Sequence, residues 1–198
     1  VAWPTSTRHA RIAYLEKPGS IPGEVMSYRP LTIMSPLYRR WASMRLRCMD
    51  DWVCSWALPE MFAGVGQQGA VDAWYQALTD VEGMMLEGVS FCGGAADILK
   101  FFDQILRQLV YEIAARAGMP RKVLKAYSNF LEALQTYNMI AGGYGHAYQR
   151  KCGIPQGCPF SMMIVALLLR PWICLVKTMR VIPKVLADDV MIIAKGKR

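Results

Sequence analysis

Two adjacent carboxylates, Asp188 and Asp189, sit between the apolar runs Val185-Leu186 and Val190-Met191-Ile192-Ile193. Runs this short on either side of a polar pair predict two buried strands joined by a tight turn, with the acids at its tip. Like charges side by side on an apolar hairpin repel and lose hydration, so they need compensation, and the usual compensation is a divalent cation. An Asp-Asp pair alone is most often a solvated turn. A third carboxylate from an equally apolar setting would make a metal site suited to phosphoryl transfer. Asp97 is the candidate, because it ends the apolar segment Val89 to Ile98, which can lie beside the acidic hairpin in one sheet. Magnesium suits such a set, since it takes few protein carboxylates and keeps positions for water and phosphate oxygens.

The chain has 198 residues, enough for a good core in one domain or in two small lobes. With 54% hydrophobic and 19% charged residues it reads as globular and not disordered. Its net charge of +8 points to a polyanionic partner, nucleic acid or an anionic membrane. The longest apolar run, Met162 to Leu169, falls short of the ~20 residues a bilayer requires, so no membrane span is expected. Val1-Ala2-Trp3-Pro4 shows no secretory pattern and no initiator Met, so a truncated or processed chain is expected. Six cysteines without a Cys-x-x-Cys pair, and only two histidines, argue against zinc and for a reduced intracellular compartment. The cysteines are expected to be ordinary core residues, and His9 and His146 structural or exposed.

Ala10 to Leu15 predicts an edge strand ended by Lys17-Pro18-Gly19, followed by a loop with Pro22 and Gly23 and an extended Tyr28-Arg29-Pro30-Leu31. Ser35-Pro36 predicts a helix start, Ser35 capping, with Arg39, Arg40, Arg45 and Arg47 making a basic surface on the helix. Gly64, Gly66 and Gly69 form a glycine-rich loop before a helix from Ala70 to Leu86; no Gly-Lys-Ser/Thr follows, which excludes a phosphate-binding NTPase loop. Val89 to Ile98 predicts a strand bent or bulged at Gly93-Gly94. Helices follow at Gln104 to Ala117, stopped by Gly118-Met119-Pro120, and at Arg121 to Leu134. Gln135 to Tyr148 reads as a hairpin, and Phe160 to about Met179 as a helix containing Pro171. Asp103 is expected to cap or orient the helix after it. This order of elements fits an α+β fold better than a doubly wound sheet.

Gly153-Ile154-Pro155-Gln156-Gly157-Cys158-Pro159 resembles the Pro-Gln-Gly motif of reverse transcriptases, and Ala187-Asp188-Asp189 resembles their acidic hairpin. Asp97 to Asp103 is similar to their first acidic motif. Upstream, Lys17-Pro18-Gly19, Tyr28-Arg29-Pro30-Leu31, the helix at Tyr38 to Leu46 and Phe62-Ala63-Gly64 to Ala73 follow the order of non-LTR retrotransposon and group II intron enzymes. The resemblance implies an α+β right-hand polymerase, with fingers and an antiparallel palm sheet packed on helices. Residues 1–88 would be fingers-like and 89–198 palm-like, including the helices within 104–134. The end of the chain at Arg198, just past the hairpin, leads to the expectation of a fragment without a thumb.

The same resemblance implies residue roles. Asp97 and Asp188 would bind the metals directly, Asp189 would complete the acidic site, and the backbone carbonyl of Ile98 would be a further ligand. The cofactor would be two Mg2+ ions, with Mn2+ as a substitute; such ions lower the pKa of a primer 3′-hydroxyl and stabilise the leaving oxygens. Phe102, five residues after Asp97, corresponds to the aromatic gate that excludes a 2′-hydroxyl by clash. Gln156 and Gly157 would line the nucleotide and template site, and Lys17 and Arg29 would grip the incoming triphosphate. The partners would be an RNA template, a DNA primer and a dNTP. The chain departs from the family pattern at Leu186, usually aromatic, and at Glu16, usually proline. Two other readings stay open: a catalytically inactive nucleic-acid-binding remnant, and an intron maturase-like RNA-binding protein.

Overall fold

The computed structural model describes residues 2–21 and 23–196. Val1, Pro22, Lys197 and Arg198 lie outside them, and with them the loop position expected at Pro22 and the chain end at Arg198. In chain order the elements are β1 (His9–Glu16), β2 (Tyr28–Met34), α1 (Pro36–Arg47), α2 (Asp50–Trp56), α3 (Ala70–Leu86), β3 (Phe91–Asp97), α4 (Phe101–Gln104) and α5 (Arg107–Arg116). They continue with α6 (Arg121–Ala133), β4 (Gln135–Ile140), β5 (Gly143–Tyr144), α7 (Ser161–Lys177), β6 (Val181–Leu186) and β7 (Asp189–Lys195). These pack as two compact units, each made of two stretches: residues 1–48 with 102–161, and 49–101 with 162–198. The units interleave in sequence, so compactness divides the chain at other places than the expected parts 1–88 and 89–198.

The first unit carries a four-stranded sheet in the order β2-β1-β4-β5. β1 pairs antiparallel with β2, Ala10 opposite Met34, and parallel with β4, Ala10 opposite Thr136. The strand expected at an edge is therefore central. The expectation failed because the second partner comes from residues more than a hundred positions away, which no local pattern discloses. Pro36 stands at the first helical position of α1, as its fixed φ favours, but Ser35 makes no side-chain cap bond. The core is an aromatic cluster in which Tyr38 stacks on Phe130 and Phe160 meets Trp41 and Tyr127 edge-on. Tyr38, Tyr127, Phe130 and Phe160 are fully buried.

The helix expected from Gln104 to Ala117 is broken at Ile105-Leu106. The Ile105 carbonyl accepts a bond from the Gly153 N–H at 2.7 Å, so that backbone is used by a loop and not by a continuing helix. Asp103 pairs with Arg150 rather than capping α5. Five of the cysteines, Cys48, Cys54, Cys92, Cys152 and Cys174, are exposed and only Cys158 is buried, which corrects the reading of all six as core residues.

The second unit carries a three-stranded antiparallel sheet in the order β3-β7-β6. β3 runs in unbroken register along β7, from Phe91 opposite Lys195 to Asp97 opposite Asp189, so Gly93-Gly94 makes no bulge. The glycine at 93 serves close approach instead: a Cβ there would stand 2.7 Å from the Ile192 carbonyl oxygen. The outer edge of β6 is covered by residues 60–62, through Phe62 N–H to Val185 O at 2.8 Å and Val185 N–H to Glu60 O at 2.9 Å. The chain then turns through Gly64, which has a φ of +75° and lies against the Met162 carbonyl; a Cβ there would collide with that backbone, so no side chain is admitted. α3 starts where the sequence predicts, with the Asp72 carboxylate accepting the Gly69 N–H at 2.7 Å. No helix of the described residues is long and apolar enough to cross a membrane.

Candidate functional site

The acidic residues all belong to the second unit, on β3 and the β6–β7 hairpin. The turn is held by Ala187 in the left-handed region, φ +57°, with Asp188 at the tip and Asp189 as the first residue of β7. The Ile98 N–H donates to the Asp188 carbonyl at 3.1 Å. Residues 98 and 188 are thus the hydrogen-bonded pair, and one step inward Asp97 and Asp189 face each other at a non-hydrogen-bonded position. Cross-strand side chains stand closest there, at roughly 4.5–5.5 Å between Cβ atoms. Both carboxylates are exposed, while Asp188 is half-buried.

Asp97 and Asp189 line one end of a groove of ≈ 540 Å³. Its walls are Ala70, Ala73, Trp74 and Ala77 of α3 on one side and residues of the sheet on the other. Strand register sets Lys184 on the same face as the acids, because Leu186 opposes Asp189 and Lys184 opposes Met191. Lys184 is buried, its ammonium 2.7 Å from a carboxylate oxygen of Asp80 on α3 and 5.8 Å from the Phe62 ring centroid. Sequence reading missed this pair. The available signal was a lysine within an otherwise apolar strand, Val181 to Leu186, which needs a counter-charge if it is buried.

Three convergent carboxylates were expected. Among the described residues no group of three His, Cys, Asp or Glu side chains is placed to hold a metal ion. The structure instead provides two opposed carboxylates, with a third on the adjoining turn and the Ile98 backbone beside it. Asp97 and Asp189 form no ion pair with a cationic side chain of the described residues. Hard oxygen donors facing each other in this way suit a hard divalent ion that completes its shell with water and phosphate. In that sense the residues fit magnesium.

The remaining candidates lie in the first unit. The Pro-Gln-Gly loop is tied from several sides: Ile154 N–H donates to Phe102 O at 2.8 Å, and Thr32 N–H donates to Gln156 O at 2.8 Å. Arg107, which sequence reading passed over, is buried and donates through Nε to Gly153 O and through Nη1 to Leu131 O, each at 2.9 Å. Gly157 has φ +112°, and a Cβ there would meet Thr32 O at 2.8 Å, so only glycine fits against β2. Gln156 and Phe102 are half-buried. Lys17 is half-buried at the end of β1, its N–H donating to Ser27 O at 2.8 Å, and Arg29 is exposed on β2 opposite Leu15. Arg39, Arg40, Arg45 and Arg47 are exposed on α1. His146 is exposed, and His9, also exposed, meets the Tyr137 hydroxyl at 3.2 Å.

No protein-family model matches the chain, and no curated protein matches it either. Solved structures do. Apo telomerase from Candida tropicalis, truncated from its C-terminal domain, superposes with TM-score 0.70 at 13% identity over 98% of this chain and 45% of its own. Telomerase from Candida tropicalis in complex with a TWJ fragment of telomeric RNA gives TM-score 0.65 at 12% identity, covering 98% of this chain and 37% of that one. The Candida albicans counterpart gives 0.62 at 11% identity, with 98% and 40% covered. The chain spans less than half the length of these structures. At such identities the likeness is one of fold: this chain has a mixed α+β architecture, with antiparallel strand pairing, similar to that of telomerase.

Proposed function

We propose that the chain is part of an RNA-directed DNA polymerase, which transfers dNTPs onto a primer 3′-hydroxyl by copying an RNA template. The observation that carries this reading is Asp97 opposite Asp189 at a non-hydrogen-bonded position, with Asp188 on the β6–β7 turn next to Asp189. Asp97, Asp188 and Asp189 would hold two Mg2+ ions, with the Ile98 carbonyl beside them. Such ions supply activation of the attacking hydroxyl and charge neutralisation at the leaving pyrophosphate. The chain's own contribution is to keep two carboxylates opposed across the β3–β7 ladder in the lining of a groove, with Lys184 of the same lining paired to Asp80.

The other roles are part of the same proposal. Phe102 would exclude the ribose 2′-hydroxyl, Gln156 and Gly157 would line the nucleotide and template site, and Lys17 and Arg29 would bind triphosphate oxygens. The fold likeness to telomerase and the net charge of +8 support nucleic acid as partner. Two of the similar structures hold an RNA fragment, which supports RNA in particular. The order of motifs favours a retroelement enzyme of non-LTR or group II intron type as the source.

The test is primer extension on an RNA template with magnesium and dNTPs, using the full-length parent protein. Extension by the parent, lost to background in Asp188→Asn and in Asp189→Asn, is the expected result. Equal extension by parent and variants would sink the assignment. A second reading is a nucleic-acid-binding module without catalysis; the exposed arginine row on α1 favours it. It predicts RNA binding that weakens steeply with salt and no extension under any condition.

A further inference from the structure

Lys184 poses a difficulty for an acidic site on the same sheet face. It lies diagonally across the β6–β7 ladder from Asp189, since Leu186 opposes Asp189 and Lys184 opposes Met191. Diagonal neighbours stand roughly 7–8 Å apart, within reach of a long side chain. Lys184 and both opposed acids line the same groove. A buried ammonium with 7% of its side chain exposed must have an anionic partner, and three carboxylates compete for it. In the structure it is bound to Asp80, at 2.7 Å, with the Phe62 ring 5.8 Å away. Asp80 comes from α3 and not from the sheet that carries the two opposed acids, so the ammonium is paired with a different element.

We propose that Asp80 is a positioning residue: it holds the Lys184 ammonium off Asp97 and Asp189, leaving that carboxylate pair open to a divalent cation. The inference rests on the metal-site reading above for its purpose, but not for its geometry. A lysine free to bridge Asp97 and Asp189 would neutralise them internally and displace the cation. Removing Asp80 alone therefore does more harm than removing both partners of the ion pair.

Two measurements test this on the full chain. The first is Mn2+ affinity by titration calorimetry for wild type, Asp80→Asn, Lys184→Met and the double variant D80N/K184M. Asp80→Asn should weaken Mn2+ binding by about tenfold or more, the usual size of a supporting-residue effect. Lys184→Met and the double variant should both bind close to wild type. A double variant as weak as Asp80→Asn would overturn the proposal, because it would mean that Asp80 acts through packing alone. The double variant also guards against misfolding, since it leaves no buried unpaired charge.

The second measurement is a crystal structure of the Asp80→Asn protein. Lys184 Nζ bonded to Asp189 or Asp97 supports the proposal; Nζ remaining at residue 80, or turned to solvent, overturns it. If the wild type takes up no Mn2+, the polymerase reading fails, while the position of Nζ in that structure still decides this one.

Discussion

The Pro-Gln-Gly loop and the acidic hairpin carry the two strongest sequence motifs, and the chain holds them in opposite ways. The loop is fixed by its own polymer: backbone bonds from Gly153, Ile154 and Gln156, a buried arginine on the Gly153 carbonyl, and a glycine at 157 pressed against Thr32. Its shape is complete without a ligand. The hairpin has a definite register, and its Asp189 faces a like carboxylate, Asp97, at the end of a strand, β3, that is exposed along its whole length. A loop fixed by its own backbone and a pair of opposed carboxylates suit different tasks: under the proposed function the first would present backbone to a template strand and the second would take up cations. Stability should therefore depend on internal contacts in the first unit and on ionic conditions in the second.

Arg107 is where that contrast breaks most sharply. Replacing it with Met removes a buried charge together with its two bonds to backbone carbonyls. Arg107→Met should lower unfolding free energy by about 3 kcal/mol, measured by urea denaturation, because buried acceptors are left unsatisfied. Arg107→Lys should recover only part of this, since an ammonium lacks the planar fork that reaches both carbonyls. A loss under about 0.5 kcal/mol, the scale of an ordinary surface change, would mean the loop is held without it.

Alkaline pH gives a somewhat smaller effect, again in the first unit. Burial pushes up the Cys158 thiol and the Tyr38 and Tyr127 hydroxyls; for both tyrosines the charge of a Cys158 thiolate would raise it further. The unfolded thiol ionises near about 8.5 and the unfolded phenols near about 10. Groups whose folded pKa is raised give stability that is intact below the unfolded value and is lost as pH climbs toward the folded one. Unfolding free energy should thus hold steady to about pH 8 and fall as the pH is raised further, through the unfolded thiol and phenol values. A flat profile over that range would show that Cys158 reaches solvent. The same residue predicts thiol titration with a chromogenic disulfide at pH 8: five cysteines react quickly and Cys158 only on unfolding.

What the sequence disclosed and what it hid follow from the range of the interactions. Helix α3 was legible because its glycine-rich lead and apolar period are local, and the Asp188-Asp189 turn because its flanking runs are. The central place of β1 was hidden, because its parallel partner β4 lies far along the chain. So was the pairing of Asp97 with Asp189, since one residue of register decides which acid faces which. Arg107 and the Lys184–Asp80 pair went unread, because only tertiary packing buries the two cations and brings their partners to them. The exposed cysteines erred the other way: a small apolar residue carries no local sign of which face it occupies.

The smallest effect is the most direct test of the acidic hairpin. Opposed like charges on neighbouring strands cost roughly 0.2–1 kcal/mol, and at an exposed pair the lower end applies. In a chelator, at low salt, Asp189→Asn should therefore be slightly more stable than wild type, and the gap should close as salt is raised. Millimolar magnesium should reverse the order, raising the melting temperature of the wild type and leaving Asp189→Asn unmoved, because only a protein that binds the ion gains from its presence. If Asp189→Asn were less stable in chelator, its carboxylate would be serving a hydrogen bond of the fold. The hairpin would then be as self-sufficient as the loop, and the contrast between them would vanish.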